Sequence, residues 1–93
     1  MIIYEWDKAK ADLNVHKHGI SFGEASLAMS DPHIVEEIDT RENYEEERIV
    51  AYVMSGRTIL AVVYTQRGDI TRIISARKAT KHEQYNYYSQ NAF

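Results

Sequence analysis

Apolar and polar residues alternate weakly over residues 2–6, which predicts a short first strand, and the pattern breaks at Asp7. Asp7 stands where an N-cap would accept the first free backbone amides of a helix running to His18, and Gly19 suits the left-handed residue that closes it. Ser21-Phe22-Gly23-Glu24 has the spacing of a capping box, so a second short helix starts at Ser21 and stops before Asp31-Pro32. Three β-rich runs follow, over 33–38, 48–54 and 58–65, the last two joined by the tight Ser55-Gly56-Arg57 connection. A fourth run, 70–76, comes after Gln66-Arg67-Gly68-Asp69, another glycine-containing hairpin signal. Thr80-Lys81-His82-Glu83 is a second capping box and opens a last helix with Glu83 and Tyr87 on one side, Tyr85 and Tyr88 on another. Strands joined by tight turns with helices at the ends predict an α+β fold: an antiparallel sheet of four to five strands, two N-terminal helices and one C-terminal helix.

At 93 residues the chain closes one hydrophobic core, hence a single domain over 1–93. The 44% apolar and 27% charged residues fit an ordinary globule. No cysteine is present, which removes disulfides, thiolate nucleophiles and thiolate zinc sites. The opening Met1-Ile2-Ile3-Tyr4 is too short for a membrane span or signal segment, so no membrane association and a cytoplasmic location are expected.

The net charge of −3 hides an uneven distribution. Residues 1–30 carry −1, residues 31–47 carry −7, and the stretch from Arg48 onward carries +5. A locally positive surface attracts polyanions whatever the total. The acidic run Glu36, Glu37, Asp39, Glu42 and Glu45-Glu46-Glu47 reads most simply as a solvated strand edge and loop, or as a dock for a basic partner.

Cleaving an RNA phosphodiester without a metal requires alignment of the 2′-hydroxyl on phosphorus, a base, an acid, and positive charge on the phosphate. Arginine suits the last task because its fork donates two parallel hydrogen bonds. Arg57, Arg67, Arg72 and Arg77 all fall on or beside predicted strands, and their guanidinium groups are expected to converge on one pocket. Arg72 and Arg77 are five residues apart, an odd offset that directs them to opposite faces of a regular strand. Arg77, at the strand's exit, is the preferred catalytic cation and Arg72 a substrate contact. His18 is a candidate acid or base, since imidazole titrates near neutral pH, or alternatively a favourable charge at a helix C-terminus. Glu83 is either a proton-transfer partner or simply the capping-box glutamate. Tyr87 is a candidate phosphate donor. Tyr52, Tyr64, Tyr85 and Tyr88 are either stacking platforms for bases or core and interface residues. No metal site is expected from His16, His18, His33 and His82, because histidines two apart on a helix point roughly 200° apart.

Two blocks carry a more specific signal: Trp6, Asp7, Lys10, Asn14, Lys17, His18, Gly19, Phe22 and Ala25, and then Gly56-Arg57, Val62-Val63-Tyr64-Thr65, Arg67, Arg72 through Arg77, Ala79, Glu83 and Tyr87. Together they resemble the BrnT family of toxin-antitoxin ribonucleases. The resemblance implies a compact sheet related to RelE-type ribonucleases and metal-independent RNA cleavage that stops translation, with no cofactor. It also implies a BrnA-like, DNA-binding antitoxin encoded alongside, with operator DNA bound only through the complex; a homodimer is left open. His18, Arg57, Arg77, Glu83 and Tyr87 are the expected catalytic set, with Lys17, Arg67, Arg72, Lys78 and Lys81 as substrate contacts. The last helix of such proteins is rich in arginine and lysine, whereas Gln84, Tyr85 and Asn86 stand here. That departure keeps a second expectation in play, a non-catalytic or weakly active module acting mainly within an antitoxin complex.

Overall fold

The computed structural model describes residues 2–41 and 45–92; Met1 of the apolar opening and Glu42 of the acidic run lie outside the described residues. In chain order the elements are β1 (Ile3–Glu5), α1 (Lys8–His18), α2 (Phe22–Ala28), β2 (Val35–Ile38), β3 (Ile49–Ser55), β4 (Thr58–Arg67), β5 (Ile70–Lys78) and α3 (Lys81–Gln90). The five strands form one sheet in the order β1-β5-β4-β3-β2. From β2 to β5 the pairing is antiparallel, as expected, but β1 lies parallel to β5 and makes the sheet mixed. No helix among the described residues is long and apolar enough to cross a membrane.

Local chemistry sets the boundaries. The Asp7 carboxylate accepts the Lys10 amide at 2.9 Å, Ser21 Oγ that of Glu24 at 3.0 Å and Thr80 Oγ1 that of Glu83 at 3.2 Å. Each satisfies a donor that the first turn leaves orphaned. Gly19 ends α1 at φ 71, where a side chain would be strained.

Both faces of the sheet are covered. On one, Phe22, Ala25 and Ala28 of α2 pack with Ala51, Val53, Leu60, Val62, Ile73 and Ala76. On the other, Val50, Tyr52, Ile59, Ala61 and Val63 pack with Ala79 and Tyr87, so α3 lies opposite the two N-terminal helices and neither face is free of helix. Fully buried Phe22, Leu60, Ile73, Val53 and Val62 each contribute about 1.5–3 kcal/mol of hydrophobic transfer.

β5 is irregular. Val63 faces Ser75 and Tyr64 faces Ile73, so Ile74 is an extra residue in the ladder, a β-bulge. The bulge corrects the expectation drawn from the odd spacing. Arg77 pairs with Ala61 and Arg72 with Thr65, two positions four apart on β4 and therefore on one face, so both arginines project on the α3 side.

β1 covers β5 only from Ile70 to Arg72, leaving the far half of that edge without a neighbouring strand. The buried Asn14 side chain of α1 substitutes for one. Its Oδ1 accepts the Ala76 amide at 3.1 Å, and its Nδ2 donates to the carbonyls of Ala76 at 2.8 Å and Ile20 at 2.9 Å. One residue before Arg77, the strand is thereby fixed to α1.

Candidate functional site

Arg77 is the centre of the best-formed polar constellation. It projects from the end of β5 toward the first turn of α3, where the capping box already orients Glu83. Glu83 Oε1 accepts the Thr80 amide at 2.8 Å and Arg77 Nη1 at 2.7 Å, while Oε2 accepts Arg77 Nη2 at 2.9 Å. Tyr52 stands beside them. Its hydroxyl donates to Glu37 Oε1 at 2.6 Å and lies 3.1 Å from Glu83 Oε2. With Asp39 and Arg41 these side chains line a cavity of about 160 Å³. Arg41 binds Asp39 bidentately, with Nε to Oδ1 and Nη2 to Oδ2 both at 2.9 Å, and the Asp39 side chain is 1% exposed.

The two explanations of Glu83 are therefore not exclusive: one carboxylate caps the helix and clamps the arginine. A carboxylate offers about four lone-pair directions, and three charged or backbone donors plus the Tyr52 contact occupy them. Glu83 is built to orient Arg77. The guanidinium holds Glu83 down to about 2 against the opposing effect of burial, with the Thr80 amide assisting. Burial, then the hydrogen bond to Glu37, pushes the Tyr52 phenol up. Glu83 takes the Nη1–Nη2 edge of Arg77. The adjacent edge, Nε–H with the second Nη2 hydrogen, makes no hydrogen bond among the described residues, and such an edge matches two phosphate oxygens.

Because the folded value of Glu83 lies below the ordinary 4.5, its stabilisation is fully present above pH 4.5 and is lost as pH falls toward about 2. Glu83→Gln should lower the melting temperature by about 5 °C at neutral pH, taking roughly 1 kcal/mol for a partly solvated pair. The wild-type and variant melting curves should converge as pH drops through that window; parallel curves would show that the pair does not stabilise the fold.

The expected convergence of arginines does not occur. Of the four, only Arg77 lines this cavity. Arg57 is exposed in the β3–β4 turn. Arg67 pairs with Glu46 at 2.9 Å and Arg72 with Glu5 at 3.1 Å. The reason is local: each guanidinium finds a carboxylate on the neighbouring segment before it can reach a shared pocket. The Tyr87 hydroxyl is likewise committed elsewhere, donating to Asp31 Oδ2 at 2.6 Å, an atom that also accepts the Met54 amide at 2.8 Å. Burial alone would raise the Asp31 carboxyl, but the bonds from Tyr87, His33 and Met54 hold it below its usual range. Tyr87 thus ties α3 to the segment before β2. Lys78 and Lys81 are exposed at the β5–α3 junction.

His18 and Lys17 border a different cavity, of about 170 Å³, between α1 and the β5 bulge. The largest cavity, about 560 Å³, holds Tyr4, Ile34, Glu36, Tyr64 and Asp69 and none of the side chains expected to act on RNA. Among the described residues no group of three or more histidines, aspartates or glutamates is arranged to hold a metal ion.

Sequence reasoning missed Glu37, Asp39, Arg41 and Tyr52 as walls of the Arg77 cavity. The acidic strand is the sheet edge, as expected, but its carboxylates are not merely solvated: Glu36 takes the Tyr64 hydroxyl and Glu37 that of Tyr52, on opposite faces. Adjacent glutamates in a predicted strand, with tyrosines in the next two runs, were the available signal. A family model described as a ribonuclease toxin, BrnT, of a type II toxin-antitoxin system matches residues 6–83. No curated protein matches the chain.

Proposed function

The chain belongs to the BrnT family of ribonuclease toxins of type II toxin-antitoxin systems, and from that premise we propose that it cuts RNA internally without a metal ion, gripping the scissile phosphate on the open edge of Arg77. The observation that carries this reading is the bidentate Arg77–Glu83 clamp, which fixes the guanidinium while leaving a second fork unoccupied. Preorganised positive charge at the phosphate supplies the stabilisation that a metal would otherwise give. Glu83 positions Arg77, and Tyr52 and Glu37 complete the wall. His18, in the next cavity along the same strand, is the acid–base candidate; Arg57, Arg67, Arg72, Lys78 and Lys81 contact flanking backbone. Tyr87 supports the site by fixing α3. Cleavage of cytoplasmic RNA arrests translation, and a BrnA-like DNA-binding antitoxin silences the enzyme, the complex rather than the toxin alone binding operator DNA.

A second reading rests on a specific observation: Arg67, Arg72 and Arg77 are each already paired with a carboxylate. An entering phosphate must compete with those partners, which fits a weakly active subunit working mainly within its antitoxin complex. Incubating purified protein with RNA in excess chelator decides between the two. Cleavage supports the first; intact RNA together with a tight antitoxin complex supports the second.

A further inference from the structure

The cavity between α1 and the β5 bulge differs from the Arg77 cavity in one respect that bears on its ligand. Lys10, Lys17 and His18 border it from α1, with Ile74 and Ser75 from β5, and no carboxylate lines it. The spacing explains the grouping, because residues at i, i+7 and i+8 share one helical face. Lys10 and Lys17 make no ion pair among the described residues, unlike Lys8 one turn away, which meets Asp12 at 2.9 Å. Leu13, 63% exposed, and Ile74 add an apolar rim beside these cations.

Resting on the ribonuclease reading above, we propose that this cavity is a second RNA subsite, holding the phosphate next to the scissile one on Lys10, Lys17 and His18. Ser75 and Arg77 are two residues apart on one strand, roughly 7 Å, a separation comparable with that of successive phosphates along an extended nucleic-acid strand. The volume of about 170 Å³ equals roughly six liquid waters. It admits a phosphate group and leaves the attached nucleoside to lie over Leu13 and Ile74. The bulge builds this arrangement by displacing Ile74 and setting Ser75 against α1.

The test is binding of a 2′-O-methyl RNA oligonucleotide, which cannot be cleaved, followed by fluorescence anisotropy at increasing salt. The double substitution Lys10→Ala with Lys17→Ala should weaken binding at least tenfold at moderate salt and reduce the slope of log K against log salt by about 1.4, about 0.7 for each lost phosphate contact on a single strand. Lys8→Ala, on the same helix but outside the cavity, should leave both unchanged. An unaltered slope in the double variant, an equal loss in Lys8→Ala, or no binding by the wild type overturns the subsite. Failure of the ribonuclease reading is recognised separately, as unmodified RNA left intact by wild-type protein that still binds the methylated oligonucleotide with the expected salt dependence.

Discussion

Replacing Arg77 with alanine is expected to lower the rate of RNA cleavage by about two to three orders of magnitude, the usual effect of deleting a preorganised donor at a developing charge. The size follows from geometry. The guanidinium is bound through two nitrogens to Glu83 and is about one-third exposed, so it is held in place yet accessible from the cavity. Arg77→Lys keeps the charge but removes the planar fork, and should recover only part of the loss. The substitution leaves the helix start intact, because Glu83 still accepts the Thr80 amide. If Glu83 acts through Arg77, Glu83→Gln should cost less than Arg77→Ala, and the double variant should be no slower than Arg77→Ala alone. Additive losses would instead give Glu83 a separate role in the reaction. The same series read as growth arrest on expression without antitoxin should rank the variants identically.

The largest effect on stability is expected at Asn14. Its side chain is 6% exposed and makes three hydrogen bonds, two of them to the backbone of Ala76. Asn14→Ala strands the Ala76 amide and carbonyl and the Ile20 carbonyl with no strand to take them. Buried polar groups left unpaired cost about 1–3 kcal/mol each, and partial entry of water leaves a net loss of about 3 kcal/mol. For a domain of this size that corresponds to a fall in melting temperature of roughly 12–24 °C. Asn14→Asp should be no better, since a carboxylate accepts the Ala76 amide but repels two carbonyl oxygens. Amide exchange at Ala76 and Arg77 should accelerate before the rest of the sheet opens. A melting temperature within 3 °C of wild type would show that the edge of β5 needs no clamp. The residue that fixes the strand and the residue assigned to the phosphate are 62 and 63 positions apart in sequence from Asn14 to Ala76 and Arg77, so folding and activity meet at this one contact.

What the sequence disclosed and what it concealed divide by the range of the forces involved. Asp7, Ser21 and Thr80 act within three residues of themselves, and the glycines at positions 19, 56 and 68 adopt positive φ where turns or caps require it. These features could be placed by short-range chemistry alone. The parallel partner of β1 could not, because three residues carry too little pattern to choose between edges. Nor could the bulge at Ile74, which no glycine or proline marks and which reverses the facing of every residue after it. The odd spacing of Arg72 and Arg77 was therefore misleading. At the site, the Arg77–Glu83 pair lies six residues apart and both members were visible in the sequence, while the positions of Glu37 and Tyr52 depend on the β2–β3 register and that of Arg41 on its bond to Asp39. The dual duty of Glu83 was hidden for another reason: its capping role is a sufficient explanation in sequence, and only the structure brings Arg77 to the same two oxygens.

The most direct test of metal-independent phosphate gripping is the identity of the ends left on a defined RNA after incubation with purified protein in excess chelator. Attack by the 2′-hydroxyl on phosphorus expels the 5′-oxygen, so the account predicts fragments ending in 2′,3′-cyclic phosphate and beginning with 5′-hydroxyl, formed by wild type and two to three orders of magnitude more slowly by Arg77→Ala. Cleavage that appears only after a divalent cation is restored, leaving 3′-hydroxyl and 5′-phosphate ends at equal rates in both proteins, would contradict it.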